Sequence, residues 1–193
     1  MPGDVVLHAQ QQLATTLQTY LSEADVQQVL LACEFADQAH GGVIRKSGEP
    51  YILHPIAVTE ILGHMQLDAD SLMAALLHDV IEDTDFSKDD IISRFGQTVA
   101  ELVDGVTKLT ISKDKQANKA ATFRKILTAT LHDPRVIVIK LADRLHNMST
   151  LDALSAEKRA RIAQETIDIF VPMARLVGMN RSEEHTSELQ SQR

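Results

Sequence analysis

Residues 72–84 read LMAALLHDVIEDT: an unbroken apolar run, then His78, Asp79, Glu82 and Asp83. All four of those side chains bind metals or move protons. On a helix successive residues turn by about 100°, so residues four apart are neighbours on one face. That spacing sets His78 beside Glu82 and Asp79 beside Asp83. The run is expected to close a buried helix that starts at Asp68 or Asp70. Acids at a helix C-terminus oppose its macrodipole, so the stretch asks for a compensating cation, and a bound metal ion is one. A His-Asp pair alone is a weak signal, because many helices simply end in solvated acids.

Outward from this stretch nearly every segment reads as a helix. Apolar positions at Leu7, Leu13, Leu17, Tyr20 and Leu21 predict a first helix over about 5–21. Ser22, with Asp25 three residues on, caps a second that runs to about His40. GGVIRKSGEPY, residues 41–51, is the first real loop. His54-Pro55 is read as the start of a helix to about Met65, with His54 at the N-cap, because Pro at the first helical position loses no hydrogen bond. Ser87 with Asp90 caps a short helix ended by Gly96, and residues 97–110 are helical despite Gly105. Residues 111–119 read as a polar loop, and helix resumes to about Leu131. Asp133-Pro134 caps the next helix, in which the VIVI run is taken as helical because Val138, Leu141, Leu145 and Met148 form one stripe. Ser155 caps a last helix to about Val177. No internal repeat is evident.

These elements predict one all-α helical bundle over residues 1–180. Residues 181–193, RSEEHTSELQSQR, have no apolar periodicity and resemble a translated sequencing-adapter read-through. They are read as a disordered, non-native tail.

At 193 residues the chain is long enough for one domain with a real core. Trp is absent and aromatics are scarce, so aliphatic side chains must fill the interior. No apolar run is long enough to span a membrane, and no signal segment opens the chain. The single Cys33 rules out an internal disulfide and reads as a core thiol, so a reducing cytoplasm is the expected location. A net charge of −8 argues against nucleic acid as a partner, but not against one small anionic ligand, since a metal ion and a few cations can reverse the potential locally.

Two further places supply matching chemistry. His54 lies at a helix start, and Asp143 lies in KLADRLHNM with Asn147 one turn later. His54, His78, Asp79 and Asp143 together offer two nitrogen and two carboxylate ligands. This mixed set suits Mn, Fe or Zn and leaves room for water, whereas a structural zinc site would be expected to use several cysteines.

An H…HD…D order of this kind is the signature of the HD-domain phosphohydrolases, an all-helical metal-dependent family. The words HGGVIRKSGEPYILHP, LLHDVIEDT, FGQTVAELVDGVTKL and VIKLADRLHNMSTL, in order over about residues 25–180, resemble the hydrolase domain of the RelA/SpoT-type alarmone enzymes, in particular the bifunctional SpoT-like members. The resemblance implies removal of the 3′-pyrophosphate from guanosine tetra- or pentaphosphate, releasing pyrophosphate and GDP or GTP, as in control of the stringent response. It implies Mn²⁺ as cofactor, with His54, His78, Asp79 and Asp143 as ligands. It implies Glu82 and Asp83 as the catalytic acids, either of which could orient the attacking water or take its proton. It implies that Arg45, Lys46 and Ser47 hold the guanine end, where a planar guanidinium can stack on the base, and that Asn147 and Thr150 contact the sugar. Lys140 and Arg144 are further cations that could offset phosphates, although Arg144 reads equally as a salt-bridge partner for the acidic site. His40 and His64 are read as packing or surface residues, His146 as a structural support, and Lys108 as lining the pocket or capping its helix, with the cap preferred.

One departure concerns the end of the domain. Relatives read Pro-Leu-Ala, a polar residue, then Arg-Leu-Gly, whereas Pro172-Met173-Ala174-Arg175-Leu176-Val177-Gly178 sets the arginine one position earlier. SpoT-like enzymes continue into a synthetase domain and C-terminal regulatory domains, so the chain is expected to be the hydrolase part of a truncated frame. The rival readings are an HD hydrolase of another small nucleotide, which the Arg45-Lys46-Ser47 loop disfavours, and a catalytically silent binding domain, which intact Glu82 and Asp83 disfavour.

Overall fold

Short polar side chains start the helices by taking up main-chain N–H groups that have no partner inside the helix. Ser22 accepts from the Asp25 N–H, Asp68 from that of Ser71, and Asp133 from that of Arg135. Ser87 and Asp90 cap each other reciprocally, as their spacing predicts. The computed structural model describes residues 2–45, 47–109, 124, 128–129 and 131–178.

The elements are α1 (Pro2–Leu17), α2 (Glu23–His40), α3 (Leu53–His64), α4 (Ala69–Leu77), α5 (Val80–Asp83), α6 (Lys88–Phe95), α7 (Gln97–Lys108), α8 (Pro134–Ser149), α9 (Ala156–Glu165) and α10 (Val171–Leu176). A single 3₁₀ turn, Leu151–Ala153, follows α8, and a π turn, Thr166–Phe170, joins α9 to α10. Among the described residues there is no strand, only an isolated antiparallel bridge between Ile44 and Pro50. The fold is thus an all-α bundle. The expected loop at 111–119, most of the helix expected to follow it, and the tail 181–193 lie outside the described residues.

Helix α4 is the hub. Every residue from Ser71 to Leu77 is buried, and α2, α3, α7 and α8 pack around it. Burial on all sides needs a run without polar positions, which is what residues 72–77 supply. Leu13, Leu17, Val29, Leu62, Val103 and Ile139 carry the same core outward into the neighbouring helices. Cys33 is fully buried in that core, where burial pushes its thiol up to about 11. No helix among the described residues is long and apolar enough to cross a membrane.

Several details differ from the sequence reading, beginning with the first helix, which spans Pro2–Leu17 and leaves Leu7 exposed. Secondly, the helix carrying LMAALL stops at Leu77, and HDVIEDT is a turn at His78-Asp79 followed by the short α5. The ring N–H of His78 bonds the Ala75 carbonyl at 2.7 Å, occupying an acceptor that a continuing helix would use. Thirdly, His54 is the second residue of α3 and Ile52 its N-cap, because main-chain bonds from Leu53 to Pro50 and from His54 to Tyr51 begin the helix earlier. Fourthly, Leu145 is exposed, so the stripe on α8 runs instead through Val136, Ile137, Ile139, Leu141 and Ala142. Lastly, the helix begun at Ser155 is interrupted by the π turn, which buries Ile169 and Phe170 just before Pro172. A proline there has no N–H for the preceding turn, and the wider turn accommodates its absence.

Candidate metal centre and its surroundings

Three segments converge on one point. His54 comes from the first turn of α3, His78 and Asp79 from the α4–α5 turn, and Asp143 from the middle of α8. His54 Nε2 lies 3.3 Å from an Asp143 oxygen and 4.0 Å from one of Asp79. His78 Nε2 lies 3.2 Å from Asp79 and 3.9 Å from the same Asp143 oxygen. Ligand atoms of His54, His78 and Asp143 all fall within 4.8 Å of one another, and all three residues are buried.

The cluster is electrostatically tense. Burial disfavours a charged His78, yet the Asp79 and Asp143 carboxylates outweigh it and raise the imidazole to about 9. Burial likewise pushes both aspartates up, but His78 and the Tyr51 hydroxyl hold Asp79 well below the usual carboxylate range. His54, His78 and Lys140 do the same for Asp143. The Lys140 ammonium reaches Asp143 at 3.2 Å. A buried and a half-buried carboxylate facing two imidazole nitrogens are held together here by borrowed protons, and they form a donor set that fits a divalent cation.

The tyrosine at position 51 escaped the sequence reading. Its hydroxyl lies 2.5 Å from an Asp79 oxygen and 3.2 Å from one of Asp83, bridging a ligand-set residue and one of the expected catalytic acids. Its ring stacks on His40 with centroids 4.3 Å apart. Burial and the two carboxylates push the phenol far above its usual range. A tyrosine in a loop carries no periodic signal. Only its place in the quoted word GEPYILHP, three residues before His54, could have marked it. Glu82 lies on the exposed side of α5.

The loop before α3 is tied down by main-chain bonds from Arg45 to Glu49 and from Tyr51 to Val43, both 2.9 Å. Gly48, at φ 88°, makes the left-handed turn this requires. The loop delivers Arg45 to α8, where Nη2 donates to Asn147 Oδ1 at 3.3 Å, while Nη1 is buried with no hydrogen-bond partner among the described residues. Asn147 in turn donates to Asp143 at 2.6 Å, so it links the loop arginine to the cluster. Thr150 stands at the end of α8 with its hydroxyl on the carbonyls of His146 and Asn147. Ser47 is exposed and bonds Glu49. Lys46 lies outside the described residues.

Other expected roles resolve simply. His40 is a buried packing residue and His64 a surface one. Lys108 pairs with Asp104 at 2.7 Å. Arg144 pairs with Glu165 at 2.8 Å and covers the Phe170 ring, so its ion pair is with α9 and not with the acidic site.

The family model described as HD domain matches residues 32–180. A protein of Escherichia coli (strain K12) named bifunctional (p)ppGpp synthase/hydrolase SpoT is 50% identical over 175 residues, 90% of this chain and 25% of that protein. One of Vibrio cholerae serotype O1, named guanosine-3′,5′-bis(diphosphate) 3′-pyrophosphohydrolase, is 48% identical over 179 residues, 92% of this chain and 25% of that protein. The chain therefore spans about a quarter of the length of these curated relatives. A solved structure described as a metazoan ortholog of SpoT that hydrolyses ppGpp and plays a role in starvation responses is 33% identical, with a TM-score of 0.62. It covers 77% of this chain, and the match takes in 86% of that chain. The HD-domain match contains all four residues of the cluster, and the chain belongs to the HD-domain family, among its SpoT-like members.

Proposed function

We propose that this chain is a (p)ppGpp 3′-pyrophosphohydrolase domain. It binds guanosine tetra- or pentaphosphate and breaks the ester link at the 3′ oxygen with water, releasing pyrophosphate and GDP or GTP. The observation that carries the reading is the convergence of His54, His78, Asp79 and Asp143, with Tyr51 joining that cluster to Asp83. The similarity to proteins named for this reaction supports the choice of substrate.

In this reading His54, His78, Asp79 and Asp143 hold Mn²⁺. When bound, such an ion polarises a phosphoryl oxygen and makes nearby water more acidic. Glu82 and Asp83, the acids beyond the ligand set, orient the attacking water and take its proton, and the Tyr51 hydroxyl holds Asp83 in register with the ligands. The unpartnered Nη1 of Arg45 is a donor awaiting an acceptor, which supports a nucleotide contact there. Lys46 and Ser47 complete that loop, and Asn147 and Thr150 contact the sugar. In a longer frame a synthetase domain and regulatory domains follow, and the cytoplasm supplies the substrate.

Purified protein incubated with guanosine tetraphosphate releases pyrophosphate with Mn²⁺ and not after chelation. Substituting Mg²⁺, Zn²⁺ or Fe²⁺ tests the choice of ion. Glu82→Gln abolishes turnover and leaves Mn²⁺ and nucleotide binding largely intact. Turnover within a few fold of the parent removes Glu82 from its role.

A further inference from the structure

The rings of His54 and His146 meet nitrogen to nitrogen. Their Nδ1 atoms lie 2.8 Å apart, with ring centroids separated by 4.9 Å. Two ring nitrogens this close share one proton, since two N–H groups would collide and two lone pairs would repel. The other nitrogen of His54 faces the Asp143 and Asp79 carboxylates. A neutral imidazole that offers its Nε2 lone pair to a cation carries its proton on Nδ1, where an acceptor must receive it. The geometry points to His146 as a positioning residue of the metal centre: it accepts the Nδ1 proton of His54 and so presents the His54 Nε2 lone pair to the ion. This inference rests on the metal reading of the cluster.

A histidine in this position can do what a carbonyl cannot. His78, the other imidazole of the cluster, donates to the main-chain carbonyl of Ala75, and that polarity is fixed. The His54–His146 contact is reversible. Without an ion, His54 donates its Nε2 proton to Asp143 across 3.3 Å, and its Nδ1 accepts from His146. On loading, the Nε2 proton of His54 leaves, the bridging proton passes from His146 to His54, and His146 takes one proton from solvent on its own Nε2. Both rings stay neutral and one proton remains between them throughout. The same two residues therefore hold the His54 ring in a single orientation in both states, so the ligand need not reorient when the ion arrives.

Three measurements test this. In ¹⁵N NMR of the parent, the His54 proton sits on Nε2 in the ion-free protein and on Nδ1 after Zn²⁺ loading. A loaded protein without that Nδ1 proton overturns the proposal with no substitution needed. Mn²⁺ affinity, read from the free-ion EPR signal, falls about 10- to 100-fold in His146→Phe, which keeps a ring but removes the acceptor. His146→Asn, whose side-chain oxygen falls near the lost Nδ1, recovers affinity to within roughly 3-fold of the parent, a rescue that a purely structural role does not produce. Parent-like binding by the Phe variant, or an Asn variant as weak as Phe, also overturns the positioning role. A parent that takes up neither ion overturns the metal reading itself, and the parent's own titration makes that failure distinct.

Discussion

One hydroxyl connects two carboxylates for which different roles are proposed. Tyr51 stands 28 residues before Asp79 and 32 before Asp83, and its O–H lies within hydrogen-bond distance of both carboxylates. A bond between a neutral hydroxyl and a charged group contributes about 1.5–3 kcal/mol, and removing the donor leaves the acceptor to bear its own desolvation. Tyr51→Phe keeps the stack on His40 and deletes only this donor. Urea unfolding of the ion-free variant is expected to show a loss of about 1.5–3 kcal/mol, and kcat is expected to fall about 10-fold as Asp83 loses its tether. A variant with unchanged stability and unchanged kcat would remove Tyr51 from the site. The four cluster residues were legible in the sequence because the role proposed for them, metal ligation, demands particular side chains, whatever holds them. Tyr51 was not, because its contribution comes entirely from where the fold carries its hydroxyl.

Helix boundaries divide along the same line. Ser22, Ser87 and Asp133 were legible as starts because each satisfies a main-chain N–H two or three residues away, a local interaction that needs no tertiary context. The break after Leu77 was hidden, since LMAALLHDVIED has the composition of one continuous helix and only the His78 ring bond to Ala75 marks its end. The exposure of Leu145 was hidden too, because which face of α8 is covered depends on where α3, α4 and α7 lie. Gly105 shows how closely those helices approach. A Cβ built there would sit 2.8 Å from one methyl of Val136 and 3.3 Å from the other. Val136 is buried and β-branched, so it cannot swing aside. Gly105→Ala gains about 1 kcal/mol of helix propensity and meets about 1–3 kcal/mol of overpacking, so net destabilisation is expected. The melting temperature should fall, and Val136→Ala in the Gly105→Ala background should recover part of it. A Gly105→Ala protein more stable than its parent would mean that α7 and α8 can separate without loss.

Across the whole molecule the charge is −8, yet the proposed substrate is a heavily phosphorylated anion. Overall potential therefore opposes binding of that substrate, and attraction must come from local positive charge: the ion proposed for the cluster and Arg45 beside it. The same ion would also act as a structural clamp. The four residues proposed to hold it belong to α3, the α4–α5 turn and α8, which an unfolded chain does not hold together. A ligand that binds only the folded state stabilises it by RT ln(1 + [L]/Kd), about 2.7 kcal/mol at a hundredfold excess over Kd. For a domain of this size each kcal/mol raises Tm by about 2–4 °C, so Mn²⁺ at that excess is expected to raise Tm by roughly 5–10 °C over the chelated protein. Asp143→Asn replaces a ligand carboxylate by an amide of similar size and should abolish the shift. Glu82→Gln, outside the ligand set, should retain it. Equal shifts in both variants would show that the ion stabilises the fold from somewhere other than the cluster, and would detach the clamp from these four residues.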